Sequence, residues 1–255
     1  TLKKNSCKWR LSKLGKRKNL MKYLNINHLL IIVAAMGSPA SHLKYQWLGF
    51  IIWIAATTWL LCRIIPELTQ SDAVWVIIAS AACAFFCSDF LSGIVHWVFD
   101  RYGTENIPVL GPGIIKSFRD HHTNPQGICG HNFIETNGDT SIACLPLLAV
   151  ALLLDPTHQL FWVCLLFNTS IGGFLTNQFH SWAHEENPPK AAIFLQKIGL
   201  ILDPKHHKKH HSGEFDSNYC ITNGRMNPIL ERTRILQRFE RIFPPTVKDI
   251  THTSK

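Results

Sequence analysis

No aspartate or glutamate precedes Glu67, although nine lysines and arginines fall between Lys3 and Lys22. A head of one sign has no internal partner for its charge, so it meets something anionic outside itself or flanks a membrane on the cytoplasmic side. Among eight cysteines there is no Cys-x-x-Cys pair, which argues against zinc ligation or a disulfide framework. Cys62, Cys83, Cys87, Cys144 and Cys164 lie in apolar runs and are expected to behave as small buried hydrophobes. The His-Glu-x-x-His sequence of zinc proteases is also missing. His184-Glu185 begins like it, but Asn187 and Pro188 follow without a second histidine. There is no repeat and no low-complexity segment.

What is present is apolar length. The chain has 255 residues, 46% of them hydrophobic, a size that suits one domain or a compact membrane protein. Four runs stand out, at about 45–65, 73–97, 142–154 and 159–179. A helix rises ~1.5 Å per residue and a bilayer core is ~30 Å thick, so about 20 residues cross it. The first, second and fourth runs qualify, and the third is short enough to be re-entrant or tilted. The expected fold is all-α: an integral membrane protein of about four transmembrane helices with a cytoplasmic histidine-rich di-metal cap. A basic segment, 1–42, precedes a membrane domain, 43–255. The run "LLIIVAAMG" (Leu29–Gly37) imitates a signal-peptide core, but the long basic head before it and the spans after it argue against cleavage.

Orientation follows lysine and arginine. The loops Pro66–Asp72 and Asp155–His158 contain neither, whereas the head, the middle loop (Arg101, Lys116, Arg119) and the tail after Lys190 are rich in them. Both termini are therefore expected in the cytosol. In this frame the basic head is a membrane flank rather than a nucleic-acid binder.

Ten of the fourteen histidines then gather at one membrane face: His96, His121, His122, His131, His180, His184, His206, His207, His210 and His211. His42 and His158 fall to the other. His180 and His184 are spaced i, i+4, and His207, His210 and His211 i, i+3, i+4, so each set shares a helical face. Imidazole nitrogen suits iron, zinc or copper. One zinc takes at most about four ligands, so eight or more rings imply two metals. His131 and His206 are weaker candidates, His206 being a neighbour of the main run. His28 and His252 are expected to be surface residues.

Two carboxylates need a partner. Asp89 lies inside the second span, where an unpaired charge costs roughly 2.5–3.5 kcal/mol. It is seven residues before His96, and Asp100 is four after it. Either is placed to orient a ligand histidine through its second ring nitrogen. In the tail, "AAIFLQKIGLIL" (Ala191–Leu202) has an apolar face suited to the membrane surface, as an anchor or a gate for lipid.

The stretches "SDFLSGIVHW", "FRDHHTNP", "HNFIETNGD", "TNQFHSWAH", "PKHHKKHH" and "YCITNG" lie between Ser88 and Asn227. Together they resemble the plasmanylethanolamine desaturases of the Kua/CarF group of membrane desaturases. The resemblance maps the eight-histidine set of that wider family onto His96, His121, His122, His180, His184, His207, His210 and His211. It implies two iron ions as cofactors and O2 as co-substrate. It also implies an external electron donor, a b-type cytochrome or a ferredoxin with its reductase. The implied substrate is a phospholipid, and the reaction forms a vinyl ether at C1 and C2 of an sn-1 O-alkyl chain. The "FIETNGD" run points to the plasmanyl branch, with Glu135, Asn137 and Asp139 shaping the site or bonding its ligands. A polar turn before the third span is the plainer reading of those three. The basic head lies outside the resemblance. The implied location is the endoplasmic reticulum membrane in a eukaryote or the inner membrane in a bacterium.

Two other functions compete. A related desaturase or hydroxylase acting on an acyl chain would use the same ligands, and only a product assay separates the two. A metal transporter would place its ligands near the membrane midplane, whereas these sit at one face.

Overall fold

A computed structural model describes residues 39–69, 72–107, 111–212 and 214–247. The basic head up to residue 38, with Cys7, His28 and Leu29–Gly37, lies outside the described residues, as does His252. The helices follow one another as α1 (Pro39–Ile64), α2 (Ala73–Arg101), α3 (Lys116–Thr123), α4 (Phe133–Leu153), α5 (Pro156–His184), α6 (Lys190–Lys197), α7 (Pro204–His210), α8 (Asn227–Thr233) and α9 (Ile235–Ile242). Among the described residues there is no strand.

Four helices, α1, α2, α4 and α5, are long and apolar enough to cross a membrane. With 26, 29, 21 and 29 residues they rise roughly 30–45 Å. The third of them corrects the sequence reading, because α4 starts at Phe133 rather than near Ile142. The cause is local. Asn132 Oδ1 accepts the N–H of Ile134 (3.0 Å) and Glu135 (3.1 Å), while Glu135 Oε2 accepts the N–H of Asn132 at 2.9 Å. This reciprocal capping box starts a helix in a stretch whose polarity suggested a turn. The polar residues that follow are paid for by neighbours: Asn137 Nδ2 donates to Gln178 Oε1 (3.2 Å), Thr140 Oγ1 to the Phe174 carbonyl (2.8 Å), and Asn177 Nδ2 to the Thr136 carbonyl (3.0 Å).

The bundle forms because α5 packs along both α2 and α4, and α1 along α4. Its core holds Trp53, Leu60, Leu148, Val163 and Phe174. The Trp53 and Phe174 rings stack with centroids 4.1 Å apart, and Trp53 Nε1 donates to Ser170 Oγ at 2.9 Å. The outside is as apolar as the inside. Trp75 is 72% exposed and Leu153 87%, with Ile51, Trp59 and Trp162 also open. Such a surface is stable in lipid rather than in water. Cys62 and Cys83 also lie on the exposed surface, not in the core as expected, whereas Cys144 and Cys164 are buried. At the end opposite the histidines Arg63 donates to the carbonyls of Leu152 (2.8 Å) and Leu154 (2.6 Å), satisfying acceptors that α4 leaves free at its C-terminus.

The tail folds back over α2. Asp89, fully buried, accepts the backbone N–H of Asn223, Gly224 and Met226, each at 2.8 Å. Ser92 Oγ receives the Ile221 N–H at 3.1 Å. Gly93 lets this part of the tail, residues 219–226 and hereafter the strap, come close, since a Cβ there would sit 2.4 Å from Cys220 Sγ. The buried carboxylate in the second span is thus a clamp for the tail and makes no hydrogen bond to a histidine, which corrects one of its expected roles.

Candidate metal centre

The strap brings α7 over the ends of α2 and α5. Asp203 caps α7 by accepting the His206 N–H at 3.0 Å, and Pro204 opens its first turn. Two turns of helix then carry His207 and His210, with His211 at the C-cap. Together with α3 and the last turns of α2 and α5, they gather nine side chains into two groups.

The first group is His121, His180, His184, His207 and His211, whose candidate ligand atoms all lie within 4.8 Å of one another. His207 Nε2 is the hub, 2.8 Å from His184 Nε2, 2.9 Å from His180 Nε2 and 3.0 Å from His211 Nε2. His121 Nε2 lies 3.2 Å from His211 Nε2. The second group is His96, Asp100, His122 and His210, equally close-set and wholly buried. Here Asp100 Oδ2 lies 3.3 Å from His96 Nε2, 3.5 Å from His122 Nε2 and 3.7 Å from His210 Nε2. His122 and His210 approach at 3.2 Å between Nε2 atoms.

The chemistry of these contacts favours a shared cation. A carbonyl only accepts, so a ring nitrogen facing one carries the proton. His96 Nδ1 faces the Tyr219 carbonyl at 3.1 Å and His210 Nδ1 the Ser217 carbonyl at 2.8 Å. In the neutral ring this leaves Nε2 as a bare lone pair turned to the centre. Burial, the leading cause, holds His122 down at about 2, His210 at about 3 and His211 at about 4, and pushes His121 and His207 well below the ordinary range. Neutral rings with inward lone pairs are what a metal requires. His96 Nε2 and both Asp100 oxygens are buried without a hydrogen-bond partner, which a native protein rarely tolerates. The residues present therefore fit metal ions.

A cavity of about 390 Å³ opens beside the first group, lined by His121, His180, His131, Glu135, Asp139 and Lys116 among others. Of the carboxamide and carboxylates in "FIETNGD", Glu135 and Asp139 reach this cavity, whereas Asn137 bonds to α5. Asp139 Oδ2 accepts from His42 Nε2 and Gln46 Nε2, both at 3.1 Å. His42 thus sits at the histidine end of the bundle, not the opposite end, because α1 and α4 both begin there. His131 lines the cavity but joins neither group. His206 is also outside them, its Nε2 meeting Asn227 Nδ2 at 3.0 Å. Asp100 differs from its expected part. The second nitrogen of His96 goes to Tyr219, and the carboxylate stands among the inward Nε2 atoms instead. Sequence reasoning did not single out Tyr219, Ser217 or Asn227; "YCITNG" marked the region by resemblance alone.

Four apolar helices with two histidine groups at one end define a membrane protein with a histidine-rich cap whose residues fit metal ions. The chain belongs to the lipid desaturase domain family, whose pattern it matches over residues 85–248. It is 38% identical over 179 residues to a plasmanylethanolamine desaturase of Myxococcus xanthus, covering 68% of this chain and 63% of that protein. It is 34% identical over 216 residues to plasmanylethanolamine desaturase 1 of Mus musculus, covering 82% of this chain and 79% of the relative. With the chloroplastic fatty acid desaturase 4 of Arabidopsis thaliana it shares 30% identity over 167 residues, 62% of this chain and 49% of the other. No solved structure matches it.

Proposed function

We propose that the protein is a plasmanylethanolamine desaturase, converting a 1-O-alkyl ethanolamine phospholipid into its 1-O-alkenyl form. The observation that carries this reading is the pair of inward-facing groups at one end of an apolar bundle, next to a cavity. The family and the two relatives of that name support it. Removing hydrogen from C1 and C2, neither of them acidified by a carbonyl, calls for a redox metal, which zinc is not. Iron ions held by His121, His180, His184, His207 and His211 and by the second group would supply the oxidising power, reducing O2 with two external electrons. The balance is one O2, two electrons and two protons consumed, two C–H bonds broken, one C=C formed and two waters released. A b-type cytochrome, or a ferredoxin with its reductase, is the expected donor.

The chain's own residues bind and orient. The lipid's headgroup lies at the interface and its ether-linked C1 and C2 are the shallowest carbons of the alkyl chain. A reactive centre at the end of the bundle suits them, whereas mid-chain desaturation needs a deeper tunnel. The cavity beside His121 and His180 suits the polar end of the substrate, with Glu135 and Asp139 on its wall. The carbonyls of Tyr219 and Ser217 hold the protons on His96 and His210 at Nδ1, and Asp89 keeps the strap that presents Tyr219 in place.

The test is expression in cells lacking plasmalogens, with an alkyl-glycerol precursor supplied. Acid-labile vinyl ether lipid is the expected product. Full expression with bound iron, no vinyl ether and a new double bond in an ester-linked acyl chain would move the function to that of the plastid relatives.

A further inference from the structure

We propose that Asp100 is itself a metal ligand and makes the two metal positions unequal: a closed, firmly held one formed by His96, Asp100, His122 and His210, and an open, looser one formed by five histidines. This rests on the metal-binding reading above but on no particular lipid substrate.

The Asp100 carboxylate is fully buried, and neither oxygen has a hydrogen-bond partner. Three Nε2 atoms stand 3.3, 3.5 and 3.7 Å from Oδ2. Two of those rings, His96 and His210, have their N–H committed to backbone carbonyls. The Nε2 lone pairs of His96 and His210 therefore face those of the Asp100 carboxylate, an arrangement that repels unless a cation lies between. A proton on Asp100 does not resolve it. Hydrogen bonds donated by a hydroxyl run at about 2.5–3.0 Å, and all three separations exceed that. Nor does either nearby arginine form an ion pair with the carboxylate: Arg119, the stronger influence, donates to the Gly103 carbonyl, and Arg101 is held by Glu240 at 2.9 and 3.0 Å. A divalent ion among three neutral imidazoles and one carboxylate keeps a single net positive charge, which a buried site tolerates better than two.

The five-histidine group is built differently. It contains no carboxylate. Nδ1 of His121, His207 and His211 has no partner, as is also true of His122, so the backbone lock is confined to His96 and His210, both in the Asp100 group. Such outer hydrogen bonds fix ring orientation and raise metal affinity. Three of the five rings are only partly buried, against none in the Asp100 group. Two cavities among the described residues touch this group and not the Asp100 group: His121 and His180 line one, of about 390 Å³, and His184 another, of about 340 Å³. The Asp100 position is thus the anchored one, and the five-histidine position is the one that solutes and substrate reach.

The experiment is staged chelation of the iron-loaded, full-length protein in detergent, read by iron content and Mössbauer spectroscopy. The wild-type chain should hold two irons per chain in two distinct quadrupole doublets and lose one at least ten-fold faster than the other. Asp100→Asn, close in volume but uncharged, should lose the slow-exchanging iron and its doublet. His184→Ala should lose the fast one and its doublet. Two irons that leave in one phase with a single doublet in the wild type would overturn the proposal, and this arm does not depend on any variant folding. So would an Asp100→Asn chain that keeps both irons and both doublets unchanged. A wild-type chain with two unequal irons but no vinyl ether product would overturn the lipid assignment and leave this inference standing.

Discussion

At the scale of single residues, the histidines separate by what their inward nitrogens meet. His184→Ala and His211→Ala each remove an Nε2 that lies within 3.2 Å of another ring in the five-histidine group. Both are expected to abolish desaturation, to below about 1% of wild type, while membrane insertion is unchanged. His206→Ala removes only a bond to Asn227, so partial activity is expected, and measured turnover of the three variants checks the order. Equal activity in all three would remove the site assignment. Asp89 gives a prediction of another kind. In Asp89→Asn either orientation of the amide turns an NH2 toward a backbone N–H that now donates to a carboxylate oxygen. One buried donor left unpaired costs about 1–3 kcal/mol. The strap should loosen, seen as faster trypsin cleavage after Arg225 with helix content preserved. The histidines were legible in the sequence because i, i+3 and i+4 spacing survives folding. The parts of Asp89 and Asp100 were not, because they depend on what the tail brings back: Asp89 and Asn223 are 134 positions apart, and no local pattern encodes their meeting.

At the scale of elements, the boundaries were least legible where polarity and helix formation disagree. Hydropathy reads Phe133–Ser141 as a loop, because Glu135, Thr136, Asn137 and Asp139 are polar. The structure shows that stretch as the first turns of α4, started by the Asn132–Glu135 capping box. That signal was in the sequence as Asn-x-x-Glu before an apolar run, and weight given to hydropathy hid it. The box itself is replaceable: Asn132→Ala should cost about 1 kcal/mol, with activity largely kept. Gly93 is not. A branched side chain in Gly93→Val cannot fit against Cys220, whose sulfur already lies 2.4 Å from where a Cβ would be. The strap must then shift off α2 and take Tyr219, and with it the bond to His96, out of register. Thermal melts in detergent should show a small change for Asn132→Ala, and a large drop with lost iron for Gly93→Val.

At the scale of the whole molecule, the even number of long helices and the charge pattern argue for the same side. α1 begins and α5 ends at the histidine end of the bundle, as the His42–Asp139 contact and the position of His184 require. The two loops at the other end, Pro66–Asp72 and Asp155–His158, contain no lysine or arginine. At the histidine end, α9, preceded by Arg234 at its N-cap, carries Arg238 and Arg241 around an exposed stripe of Ile235, Phe239 and Ile242. An apolar stripe among arginines suits the boundary between acyl chains and anionic headgroups. α9 is set at that depth by the bond from Trp97 Nε1 to Glu240 Oε1 at 2.8 Å. α6 adds exposed Ile193 and Phe194 between Lys190 and Lys197. Positive residues are retained on the cytoplasmic side during insertion, so the metal cap, the cavity and the tail are expected to face the cytosol, where a soluble or membrane-bound electron donor can reach them. A protease-sensitive reporter fused after Lys255 should be digested in sealed membranes whose cytosolic face is outward, without detergent. Digestion only after the membranes are opened would reverse the orientation and place the cap on the side away from cytosolic reductant.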